Sequence, residues 1–198
     1  LYNSASALTS YTGTFGIPAN TAPTAHTWTV GITVTDTIGA QATATSAGIS
    51  QSADTAPTIA IALSPTSLPV VGSNLAITAT ITGSGAGISS AFAELFKDGI
   101  DTGQGGYLTS GGTTFTGNFG IPNNTSYATH SWSVKVSATD NIGVVTSATS
   151  AGDVQAANTK PTITSTLTPG SPSPAGDTLT IKSTIKAGAA GIAGVYGR

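Results

Sequence analysis

The stretch His26-Thr27-Trp28-Thr29-Val30-Gly31-Ile32-Thr33-Val34-Thr35-Asp36 decides the fold, because large apolar residues alternate in it with small polar ones. On an extended chain Trp28, Val30, Ile32 and Val34 fall on one side and Thr27, Thr29, Gly31 and Thr33 on the other. Period-two alternation marks a strand with one buried and one wet face. The pattern returns at His130-Ser131-Trp132-Ser133-Val134-Lys135-Val136-Ser137-Ala138-Thr139-Asp140, with Trp132, Val134, Val136 and Ala138 as the apolar row. Each position stands 104 residues from its counterpart.

The same offset relates Phe15-Gly16-Ile17-Pro18 to Phe119-Gly120-Ile121-Pro122, and Pro57-Thr58-Ile59 to Pro161-Thr162-Ile163, with no insertion or deletion. A period of that size fits a whole domain in a tandem array, since solenoid units run to about 20 to 50 residues. Residues 57–155 carry one complete unit. Residues 1–53 match only its second half and residues 159–198 only its first. Joined, the two halves lack the stretch equivalent to Leu95 through Gln104, which contains the turn signal Lys97-Asp98-Gly99.

Composition agrees with an all-β class. Of 198 residues, 7% are charged, 25 are Gly and none is Cys, so long charged helices, a disulfide framework and thiolate metal sites are excluded. Six basic and eight acidic residues, for a net charge of −2, offer no footprint for nucleic acid. No apolar run reaches the roughly 18 residues of a membrane span. The opening residues lack a signal-peptide pattern, which fits a mature or excised piece, and Arg198 suits release by a trypsin-like protease.

Further strands are expected at Ile59 to Leu63, Leu75 to Ile81, Ala91 to Phe96, Thr113 to Phe119, Val144 to Ala148 and Leu179 to Ile185. Turn clusters separate them, among them Ser64-Pro65, Gly83-Ser84-Gly85-Ala86-Gly87 and Asp140-Asn141-Ile142-Gly143. About seven short strands in about 100 residues, one bearing a core Trp, predict an immunoglobulin-like antiparallel β-sandwich. The run Thr-Gly-x-Phe-Gly-Ile-Pro, the Trp strand and Thr-Asp-x-Ile-Gly together resemble the tandem Ig-like domains of bacterial and archaeal cell-surface proteins. That resemblance implies adhesin shafts, surface-layer modules or filament subunits, and it transfers no catalytic residue.

The residues that could carry chemistry are few. His26 and His130 have no acidic neighbour in sequence, and no Gly-x-Ser-x-Gly elbow occurs. The glycines at 83, 85 and 87 match no phosphate-binding fingerprint, and the expectation is a non-enzyme without a cofactor. Asp36 and Asp140 read as Asx turns; a sharper reading brings Asp140 to linker residue Asp54 as a Ca²⁺ site. Asn123 and Asn124 begin overlapping glycosylation sequons, and glycans would hydrate a chain of mean hydropathy +0.18. Lys135 and Glu94 raise an isopeptide staple, which an outward-facing lysine disfavours.

An isolated segment of about 40 to 50 residues buries too little apolar surface to offset its conformational entropy. Both half domains therefore need a partner. The expectation is an extracellular, pilus-like structural subunit in which residues 159–198 of one copy complete residues 1–53 of the next, head to tail. Its shared core would comprise Phe15, Trp28, Val30, Ile32 and Val34 against Leu179, Ile181, Ile185 and Val195. A host or neighbouring cell surface is a further candidate partner. The alternatives are a window on a longer adhesin shaft or surface-layer stalk, and a carbohydrate-binding module using Tyr107 and Tyr127.

Overall fold

The computed structural model describes residues 10–198, and the chain divides into two compact units, Leu1–Asp54 and Thr55–Arg198. The described residues form strands and turns with no helix, as the Gly, Ser and Thr content requires.

In the first unit β1 (His26–Trp28) pairs antiparallel with β4 (Ile49–Gln51), and β2 (Gly31–Thr35) with β3 (Gln41–Thr45). The expected Trp28 strand is thus broken at Thr29 and Val30, which pair with no strand among the described residues. Residues 10–21 belong to no strand.

The second unit begins with β5 (Thr58–Ser64), β6 (Ser67–Leu68), β7 (Ser73–Thr82) and β8 (Ile88–Lys97). It continues with β9 (Ile100–Tyr107), β10 (Thr109–Gly111), β11 (Thr114–Ile121), β12 (His130–Asp140), β13 (Val145–Thr149) and β14 (Asp153–Gln155). One sheet runs in the order β10-β11-β7-β5. The other runs β6-β14-β12-β8-β9, with β13 also on β12. All these pairings are antiparallel except β14 with β6.

Both sheets turn their apolar rows to one core, in the manner of a β-sandwich. Leu75, Ile77, Ala79 and Ile81 come from β7, Ala91, Ala93 and Leu95 from β8, and Trp132, Val134, Val136 and Ala138 from β12. The β9 and β10 strands were not expected. Their glycines, at 103, 105, 106 and 111, dilute the apolar alternation from which a strand is read.

Beyond Gln155, β15 (Thr162–Thr168) and β16 (Thr180–Lys186) form an antiparallel hairpin that is a sheet of two strands by itself. One edge of β16 is taken by β15, and the other pairs with no strand among the described residues.

Candidate functional site

Trp132 is held by an inward network. Its indole N–H donates to the Gln155 carbonyl oxygen (3.0 Å), and the Gln155 amide donates to the Pro122 carbonyl (2.8 Å). Nearby, Val134 N–H donates to Ser150 Oγ (3.0 Å) and the Asn124 amide to the carbonyls of Ala128 (2.8 Å) and Ala156 (2.9 Å). Each bond has a counterpart 104 positions earlier. Trp28 donates to Gln51 (2.8 Å), Gln51 to Pro18 (2.8 Å), Val30 to Ser46 (2.9 Å), and Asn20 to Thr24 and Ser52 (both 2.8 Å).

What differs is the cover. Trp132 is 2% exposed and Trp28 38%; Val136 is fully buried and Ile32 is 55% exposed. Phe15, Val30 and Val34 are likewise exposed. Phe15, Ile17, Trp28, Val30 and Ile49 line an open groove of about 480 Å³. The β15–β16 hairpin shows the same contrast: Leu179 is 48% exposed where Leu75 is fully buried. Ile181 and Val195 are exposed and Ile185 is half-buried. Two apolar faces whose equivalents are buried in the β7 and β12 sandwich thus stand open to water.

The remaining polar candidates resolve into local structure. Asp140 is buried, and its Oδ1 accepts the N–H groups of Ile142 (3.0 Å) and Val144 (2.9 Å), closing an Asx turn. Burial pushes its pKa up, but those N–H groups, with Ser84 and Gly143, hold it below the ordinary value. Asp36 makes the same turn with Ile38 and Ala40. Asp54 is buried, its N–H donates to the Ala22 carbonyl (2.9 Å), and its Oδ1 has no hydrogen-bond partner. Among the described residues no three His, Cys, Asp or Glu side chains gather as a metal site.

Of the two sequons, Asn123 is exposed, whereas the Asn124 side chain is buried with both its hydrogens bonded. A glycan on Asn124 Nδ2 would replace one of those two hydrogens and forfeit its bond, a cost that exposed Asn123 does not carry. Lys135 Nζ lies 3.2 Å from Glu94 Oε2 in a half-exposed ion pair directly across β12 and β8. Tyr107 stands edge-on to Phe92 (5.1 Å between centroids), and the Lys160 ammonium lies 5.1 Å from the Tyr127 ring.

Sequence reasoning missed Asp98. It belongs to the β8–β9 turn, 32 residues from His130, and its Oδ2 is 2.7 Å from His130 Nδ1. His130 Nε2 faces Ser126 Oγ at 3.1 Å, giving an acid–imidazole–hydroxyl row. Ser126 Oγ lies closer to Asn124 Oδ1, at 2.8 Å, so its hydrogen serves the loop. The Ser131 N–H and His130 hold the Asp98 carboxyl below its ordinary pKa, against a smaller desolvation effect. No helix is long and apolar enough to cross a membrane among the described residues. Compared with known proteins, the chain matches no family model and no curated protein sequence.

Proposed function

We propose that the chain is a non-enzymatic, extracellular structural subunit of a cell-surface filament, built as a tandem of Ig-like units 104 residues long. In this reading residues 57–155 are a complete unit, and residues 1–53 and 159–198 are the two halves of another. Residues 159–198 of one copy complete residues 1–53 of the next. The observation that carries it is the Trp28 network, bonded like that of Trp132 but with its apolar row uncovered. Side chains of this size contribute about 1.5 to 3 kcal/mol each on full burial, so the two open faces are strongly driven to find a cover.

The placement of the complete unit favours a second copy as that cover. β5 begins opposite Thr82, and β14 ends beside Leu68, which follows the far end of β5. Seven strand residues at about 3.3 Å each separate entry from exit, and the linkers are short. A contact between unlike faces does not close on itself and propagates as an open filament.

Electron microscopy of the purified chain, with its denatured intact mass, tests the reading. Long particles from a 19.3 kDa chain are expected. Monomers at high concentration would overturn it. A much larger polypeptide would favour a covalent tandem shaft whose faces are filled by neighbouring segments.

A further inference from the structure

The covered unit shows how its second-half segment joins its first. β11 pairs with β7 in an unbroken antiparallel register, Thr114 with Thr80 through Ile121 with Ser73. The residues 104 positions before β11 are 10–17, which belong to no strand. The residues 104 positions after the core of β7 form β16, whose free edge is the one β7 gives to β11. Among the described residues, a strand-forming sequence without a sheet and a sheet edge without a strand thus occur in one chain.

We infer, resting on the assembly reading above, that residues 10–17 become a strand only on pairing with β16 of a second copy. The register is inherited: Phe15 opposite Leu179, Gly13 opposite Ile181 and Tyr11 opposite Ser183 on the core side. Thr14 stands opposite Thr180, Thr12 opposite Lys182 and Ser10 opposite Thr184 on the outer side. This places Phe15 and Leu179 in one apolar row, as Phe119 and Leu75 are in the covered unit. The partner is this chain itself: the backbone groups of an edge accept any strand, and it is the matching apolar rows, with Phe15 facing Leu179 as Phe119 faces Leu75, that select this segment and fix its register.

The alternation of the ladder also assigns each pair its geometry. Ile81 N–H donates to the Thr113 carbonyl (2.8 Å), which continues the register one pair beyond Thr80 and Thr114. That pair is hydrogen-bonded, so the core-side pairs of the same parity are hydrogen-bonded and the outer pairs are not. Non-hydrogen-bonded pairs bring Cα atoms to about 4.5 Å, within the range a disulfide spans. The chain has no cysteine of its own, so introduced pairs report without background.

The test is oxidative cross-linking of the full chain carrying Thr14→Cys and Thr180→Cys, compared with Ser10→Cys and Thr180→Cys, four residues out of register. The first variant is expected to give a ladder of covalent dimers, trimers and longer species on a non-reducing gel, and the second to lose it. Equal ladders from both would overturn the register. A cross-linked monomer alone would overturn the second copy as partner. Filaments of wild type with no ladder from Thr14→Cys and Thr180→Cys would overturn the pairing and leave assembly standing. Absence of filaments in wild type would instead remove the reading on which the inference rests.

Discussion

Gln155 is 1% exposed and links three elements, accepting from the Trp132 indole and donating to the carbonyls of Pro122 and Pro69. Its replacement by Ala strands the buried Trp132 indole N–H and leaves the carbonyls of Pro122 and Pro69 without their donor, so Gln155→Ala is expected to cost about 2 to 3 kcal/mol in chemical denaturation. Gln51→Ala, at an exposed Trp, should leave the isolated chain nearly unchanged. The carboxylates of this unit act in opposite senses. Asp98 and Asp140 are held below their ordinary pKa by hydrogen bonds, so their contribution is full above the unfolded carboxylate range and is lost as pH falls through the folded values. Thermal melts should therefore show a falling Tm below about pH 4. Asp153 is pushed up by burial, and its Oδ2 has no partner. Its charge opposes folding at neutral pH and the opposition fades as pH falls, so Asp153→Asn should raise Tm at pH 7 and not at pH 3.

At the scale of elements, the β8–β9 hairpin turns at Asp98 (φ 52°) and Gly99 (φ 79°), two left-handed residues in succession, as a two-residue hairpin turn requires. Residues 10–17 are the opposite case, a segment in no strand that, on the pairing inferred above, takes its conformation from a partner. Gly13→Pro removes an N–H from a core-side pair of the inferred ladder and should abolish cross-linking and filaments while the melt of residues 57–155 stays in place. Much of this was legible in the sequence. The apolar rows at Leu75, Ile77, Ala79 and Ile81 and at Trp132, Val134, Val136 and Ala138 were expected and are buried, because period two on a half-buried strand is a strong signal. β9 escaped because glycines present no side chain to alternate. Asp98 escaped as a partner of His130 because only strand pairing brings positions 32 residues apart together. The break at Thr29 and Val30 escaped because alternation does not name neighbours: Ser133 and Val134 are held in β12 by β8 alone, and no described strand stands there in the first unit.

For the whole molecule, the proposed assembly through apolar rows, in a chain with only 14 charged residues, should depend little on ionic strength. Filament yield at about 0.05 M and 1 M salt is expected to be similar, whereas an electrostatic joint would weaken as the Debye length shrinks to about 3 Å. Trp28→Ala should lower joint stability by about 3 to 5 kcal/mol, seen as a raised critical concentration, with the Tm of the complete unit unchanged. Joint melting should shift with protein concentration and the complete unit's should not. The unequal cover of the two indoles has an optical consequence. Trp132 already sits in an apolar interior and Trp28 in partial contact with water, and the chain has no third tryptophan. A blue shift in emission during polymerisation would therefore originate from Trp28, making the unlabelled protein its own real-time reporter of growth.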